Sequence, residues 1–207
     1  MIKNIIFDFD GVILDSMPIR TEGFKKIFEN YDNKKVEELI SFHLINGGLS
    51  RFVKIKYFFE ELLETSISEE EINFFADKYS KIMKENLINE KYLIRETVDF
   101  IKNNNNIKMF IASGSEEKEL RLINESLQLS KYFLGIFGSP KNKIDIVKSI
   151  IQDNKLNKNE TILIGDSIND YDAAIKNGIR FFGYNNIKLK NISDKYINTF
   201  REGILWK

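Results

Sequence analysis

Cysteine is absent from the 207 residues, proline occurs only twice, and there is one histidine and one tryptophan. Without cysteine there is no disulfide, no thiolate metal site and no thiol nucleophile, which suits a reducing cytoplasm, the expected location, without requiring it. An excess of charge of one sign is also missing: 31 Lys and Arg balance 31 Asp and Glu. No long-range field would therefore draw the chain to nucleic acid or an anionic membrane, and an anionic ligand would have to be bound locally. No window approaches the roughly 18 uninterrupted apolar residues of a membrane span. The first apolar stretch is broken by Lys3, Asp8 and Asp10 and lacks a basic leader and a small-residue cleavage site, so it does not read as a signal peptide. No glycine loop ending in GK[ST] occurs, and no internal repeat is visible.

What is present is a hydrophobic content of 43%, enough for a well-buried core, arranged in short β-branched runs: "IKNIIFDFD", "IKMFIAS", "TILIGD" and "IRFFGY", with a weaker one around Gly135 to Phe137. Continuous apolar runs of this length, alternating with helical patterns, predict an α/β fold with a parallel sheet covered on both faces. Between the first two runs the periodicity is helical throughout. Phe24, Ile27, Phe28 and Tyr31 share one face; Ile72, Phe75, Ala76, Tyr79, Ile82 and Met83 share another, on a helix opened by Ser68 and Glu71 as a capping box. Residues 16–87 are therefore expected to form a helical insert, with 1–15 and 88–207 forming the core. "NNNN" reads as a loop, and the tail after "IRFFGY" as an edge strand with a short helix, Trp206 being a packing anchor.

Ligands of open α/β sheets bind beyond the carboxyl ends of the strands. Those ends carry Asp8 and Asp10, then Ser113, Gly114 and Ser115, then Lys141 and Lys143, then Asp166 and Asp170. Alternation along an extended chain points residues 8 and 10 the same way, with Phe9 turned into the core. Two such carboxylates repel, and a divalent cation is the ordinary remedy; Asp166 offers the third oxygen ligand expected for Mg2+. The Ser113 hydroxyl, the N–H groups of the "SGS" turn at a helix start and a lysine complete an arrangement suited to a phosphoryl group. Ser115 reads as the cap of the helix that follows, with Glu116 and Glu117 in its first turn. With no cysteine and the only histidine, His43, placed in the insert and read as structural, a carboxylate remains as nucleophile. Asp8 would attack phosphorus, and Asp10 would protonate the leaving oxygen and later take a proton from water.

At these residues the sequence resembles the haloacid dehalogenase-like hydrolase superfamily, in its phosphatase branch. "FDFDGVILDS", "FIASGS", "GSPKNK" and "ILIGDSINDYDAA" look like its four motifs, in order. The resemblance implies a Rossmann-like core with a helical cap inserted after the first motif. It implies Asp8 as nucleophile and Asp10 as acid/base, with the Asp10 backbone carbonyl also on the metal. Ser113, Gly114 and Lys143 would bind phosphate, Lys143 being preferred to Lys141, and Asp166 would be a metal ligand. Asp170 would orient the lysine or a water on the metal. "NGGLSRFVKIKYFF" is similar to the substrate loop and following helix of β-phosphoglucomutase-like caps, so Arg51 and Lys54 are expected to meet the substrate; Gly47 and Gly48 serve either that loop or a helix break. Gly165, where those mutases carry glutamate, and Arg20, at a hinge position they fill otherwise, depart from that subfamily.

The expected activity is Mg2+-dependent hydrolysis of a small phosphorylated metabolite, a sugar phosphate or phosphoglycolate-like acid, with no nucleic-acid or membrane partner. A sugar phosphomutase is the alternative, and a catalytically silent phospho-ligand-binding protein a further one, though neither the nucleophile nor the general acid is lost. A phospho-signalling receiver domain would place its acceptor after a middle strand and carry no large insert. The sequence is silent on the oligomeric state and on the substrate itself.

Overall fold

The computed structural model describes residues 1–200; Trp206 lies outside them. Six strands run parallel in one sheet: β1 (Asn4–Phe7), β2 (Lys108–Glu116), β3 (Gly135–Ser139), β4 (Thr161–Gly165), β5 (Arg180–Tyr184) and β6 (Lys195–Ile197), in the spatial order β3-β2-β1-β4-β5-β6. This is the Rossmann-like α/β arrangement expected. The chain moves outward from β1 through β2 and β3, then crosses back to β4, so the strand order reverses between β1 and β4. A crevice at that point is where such sheets take ligands.

The apolar run of β1 serves both faces of the sheet. Ile5, Phe7 and Phe9 join one core with Met109, Ile111 and Ile164, while Ile6 joins the other with Phe110, Leu163 and Phe181. The first face is covered by α5 (Arg95–Asn103) and α6 (Glu117–Ser126), through Val98, Ile101, Leu120 and Ile123. The second is covered by α7 (Lys143–Asp153) and α8 (Ile168–Asn177), through Ile146, Val147, Ile150 and Ala173. The weak run at 135–137 is β3, and the tail forms a helical turn at Ile187–Leu189 followed by the edge strand β6.

Between β1 and β2 the chain builds α1 (Met17–Ile27), α2 (Asn33–Ile45), α3 (Arg51–Tyr57) running into a π-helical turn, and α4 (Glu69–Leu87). Their shared interior is aromatic: Phe28 stacks on Phe58 at 4.2 Å, and Tyr31, Phe59 and Phe75 pack around the pair. The capping box forms as read, the Glu71 N–H donating to Ser68 Oγ at 3.2 Å and the Ser68 N–H to Glu71 Oε2 at 2.9 Å.

One local reading is corrected. The "SGS" segment is not a turn, and Ser115 is not the helix cap. Extended chain continues through Glu116, with a register irregularity between Ala112 and Glu116. Glu116 itself caps α6, accepting from the N–H groups of Lys118 and Glu119 at 3.1 and 2.8 Å. A bulge of this kind re-aims side chains at a strand end, and here it turns Ser115 toward Asp10.

Candidate active site

Asp8 leaves β1 as the last residue held by the ladder, its N–H donating to the Ile164 carbonyl at 2.8 Å. Its Oδ1 accepts from the Phe9 N–H at 2.7 Å and pairs with Lys143 Nζ at 2.9 Å, and neither contact uses Oδ2. Lys143, the first residue of α7, also pairs with Asp170 Oδ1 at 2.5 Å. Asp170 is fixed from its other oxygen by Ser167, whose N–H and hydroxyl both donate to Oδ2, at 3.0 and 2.5 Å. Lys141, the other lysine near this end of the sheet, is exposed and bonds Ser149 at 2.5 Å.

Carboxylate oxygens of Asp8, Asp166 and Asp170 lie within 4.8 Å of one another. Packing acids this closely in a buried place raises the cost of their charge. Burial, then Asp170, pushes Asp166 up to about 7, and the same two causes push Asp8 well above the carboxylate range, against the pull of Lys143. Lys143 is pushed up as well, which for a lysine favours charge: burial alone would lower it, but Asp170 and Asp8 outweigh that and hold it charged. A hard cation with oxygen ligands is the group that relieves such a surplus, so these residues fit Mg2+. Gly11 is part of the fit. With φ at +75°, a Cβ there would fall 2.0 Å from Asp166 Oδ2, so only glycine lets that carboxylate lie against the loop after β1.

Asp10 is held from three sides. Ser16 donates to Oδ1, Arg20 Nε donates to the same oxygen at 2.6 Å, and Ser115 donates to Oδ2 at 2.6 Å. Burial would raise its pKa, but the Arg20 charge and the Ser115 and Ser16 hydrogen bonds hold it below the usual carboxylate range. Ser113 is buried at the same strand end as Ser115, its Oγ accepting from the Ser115 N–H at 3.1 Å and keeping its own proton to donate.

Arg51 and Lys54 line a cavity between the insert and the sheet, together with Asp10, Arg20, His43 and Tyr79. Both are buried rather than on a solvated helix face. Arg51 is largely committed: its Nη1 lies 2.7 Å from Glu119 Oε2 and 2.5 Å from Ser80 Oγ. Lys54 contacts only neutral groups, His43 Nδ1 at 2.9 Å and the Gly47 carbonyl at 3.3 Å. Buried and close to Arg20, it is pushed down to about 7, and His43 down to about 3 by burial and Lys54. Among the described residues, Arg20 Nη2, Arg51 Nη2 and His43 Nε2 are buried without a hydrogen-bond partner.

The sequence reading left Arg20, Ser16 and Glu119 out of the site. Ser16 and Arg20 stand four apart at the start of a helix just after Asp10, a spacing that puts both on one face and could have signalled them. Glu119 carries no local signal, because its partners come from other elements.

The haloacid dehalogenase-like hydrolase family matches residues 5–184, nearly the whole described chain and every element that carries these groups. The chain belongs to that family. As a haloacid dehalogenase-like hydrolase it is an enzyme. It is 26% identical over 185 residues to a phosphorylated carbohydrates phosphatase of Thermotoga maritima, a match covering 86% of this chain and 83% of that protein. Its fold is like that of β-phosphoglucomutase from Clostridium difficile (TM-score 0.79, 21% identity, 97% of this chain and 92% of that one). It is also like that of CbbY from Rhodobacter sphaeroides in complex with xylulose-(1,5)bisphosphate (TM-score 0.78, 15% identity, 98% and 96%).

Proposed function

We propose that this hydrolase is a Mg2+-dependent phosphatase acting on a phosphate monoester of a small metabolite, a sugar phosphate or phosphoglycolate-like acid, through an aspartyl phosphate on Asp8. One observation carries the reading. At the reversal between β1 and β4, Asp8 has one oxygen pinned by Lys143 and a backbone N–H and the other unused, beside Asp166 and Asp170. A nucleophile so oriented is ready for in-line attack.

In the first step Asp8 Oδ2 bonds to phosphorus as the bond to the leaving oxygen breaks, and Asp10 gives that oxygen a proton. In the second, water bonds to phosphorus, its proton passes to Asp10 and the acyl phosphate bond opens. The donors around Asp10 favour its ionised form, the one that takes a proton from water. Its protonated form therefore requires the Arg20 contact to loosen. Ser113 and Lys143 bind the phosphoryl oxygens, with Gly114 giving them close access to the main chain, while Asp170 orients Lys143. The carboxylates of Asp8 and Asp166 and the backbone carbonyl of Asp10 would hold Mg2+, which when bound offsets charge on the transferring group. Lys54, with the free Nη2 of Arg51, meets the leaving group. Residues 16–87 act as a cap over a core of 1–15 and 88–207.

The kinship with a phosphorylated carbohydrates phosphatase supports hydrolysis of a carbohydrate phosphate. Residue 165 favours hydrolysis over the mutase alternative, because a Cβ on Gly165 would lie 2.3 Å from Asp170 Cβ, leaving no room for the glutamate that mutases carry there. The test is phosphate release from a panel of phosphorylated sugars and 2-phosphoglycolate, with Mg2+ and after its removal by EDTA. We expect release with Mg2+ alone, no isomeric sugar phosphate among the products, and a loss of at least about 10³-fold in Asp8→Asn. A folded wild type that releases nothing from any substrate, or an Asp8→Asn variant that matches it, overturns the proposal.

A further inference from the structure

Two consecutive asparagines in the tail reach back to the loops that carry the acids. Asn185 stands in the left-handed backbone region (φ +54°), which asparagine tolerates better than most residues, and its side-chain amide donates to the Gly11 carbonyl at 3.0 Å. Asn186 donates to the Asp166 carbonyl at 2.8 Å, while its Oδ1 accepts from the Lys188 N–H at 3.2 Å. The dipeptide thus touches both sides of the β1/β4 crevice, one side chain to each.

The sheet does not itself fix that crevice. The last paired residues of β1 and β4 are Phe7 and Ile164, and the final bond between the two chains is the one from the Asp8 N–H. Beyond it, residues 9–12 and 165–167 run on without strand pairing to each other, yet these are the segments from which Asp10 and Asp166 project. Gly11 and the Asp166 carboxylate are already in the close approach described above, so a small drift of either loop changes how the acids face one another. Mg2+ asks for near-ideal octahedral oxygen geometry, which makes it a sensitive reporter of such drift.

We propose that Asn185 and Asn186 form a clamp that sets the spacing of the β1 and β4 loops and thereby the affinity of the acidic cluster for a divalent cation. The proposal rests on the metal reading above. Both are positioning residues: their amides hold main-chain carbonyls and touch no carboxylate.

The experiment is calorimetric titration of MgCl2 into the full chain without substrate, for wild type, Asn186→Ser and Asn185→Gly, with thermal melts in EDTA. Serine can still cap the turn at Lys188 but cannot reach the Asp166 carbonyl, and glycine keeps the left-handed backbone while losing the bond to Gly11. Asn104→Ser, which removes a hydrogen bond to the Phe100 carbonyl ahead of β2 and away from the strand ends, is the control. The expected result is a Kd for Mg2+ weakened about 10-fold in Asn186→Ser, a smaller loss in Asn185→Gly and none in the control. Metal-free melting temperatures should stay close to wild type, and substrate KM should recover at saturating Mg2+. Unchanged Mg2+ affinity in both variants overturns the clamp, as does a loss equalled by the control; if Asn186→Ser does not fold, Asn185→Gly decides alone. A wild type that binds no Mg2+ defeats the metal reading itself.

Discussion

Lys54 shows what a single residue gives up for a site. Its ammonium is buried against a neutral imidazole and a carbonyl, and among the described residues no carboxylate makes a salt bridge with it. Burial and then Arg20 bring it down from the ordinary 10.5 to about 7. The unfolded chain binds that proton more readily than the folded one between these two values. The resulting penalty on folding is absent above pH 10.5, grows as pH falls toward 7 and is constant below. Lys54→Met should therefore be more stable than wild type at pH 7, by on the order of 4 kcal/mol, and the difference should close by pH 10.5. Urea unfolding of both proteins at the two pH values checks this. The same variant should raise KM for a phosphorylated carbohydrate, and an unchanged KM would remove Lys54 from the substrate's surroundings. The sequence brought Lys54 into view only through its likeness to a cap helix; that its charge has no paired acid is a fact of packing.

At the scale of elements, the loop between α2 and α3 seals the site by backbone contact. A Cβ on Gly114 would lie 2.4 Å from the Gly48 carbonyl oxygen, and one on Gly48 would lie 2.8 Å from Ser167 Oγ. The insert thus touches the ends of both β2 and β4 with main chain rather than side chains. Gly114→Ala should push the loop away, lowering kcat/KM on the order of 10²-fold and speeding hydrogen exchange across residues 46–50 while leaving Mg2+ affinity alone. Equal exchange in variant and wild type would show that the loop is not in contact in solution. Local signals served well for elements that close on themselves. The Ser68–Glu71 box was legible because both partners sit within one turn. The end of β2 was misread because whether "SGSE" turns or stays extended depends on β3 beside it, and Ser115 found its partner in Asp10, 105 residues away.

Across the whole molecule, one carboxylate ties the insert to the sheet layer. Glu119, on α6, is fully buried and faces Arg51 on α3 at 2.7 Å and Arg20 on α1 at 3.5 Å, while Ser80 on α4 bonds the same Arg51 nitrogen. Glu119→Ala leaves these guanidinium groups buried with less compensation, and should cost about 3–5 kcal/mol in urea unfolding; a loss under 1 kcal/mol would mean that the contact is open to water in solution. The sequence by itself determined the parallel sheet, the helical insert and the identity of the acids at the strand ends, because alternation and helical periodicity are local and each strand end follows its strand directly. Only the tertiary structure decided which groups face those acids. Arg20 on Asp10, Glu119 on Arg51 and Asn186 on Asp166 are pairs brought together by strand order and helix packing, and a buried charge takes its partner from whatever the fold sets within a few ångströms.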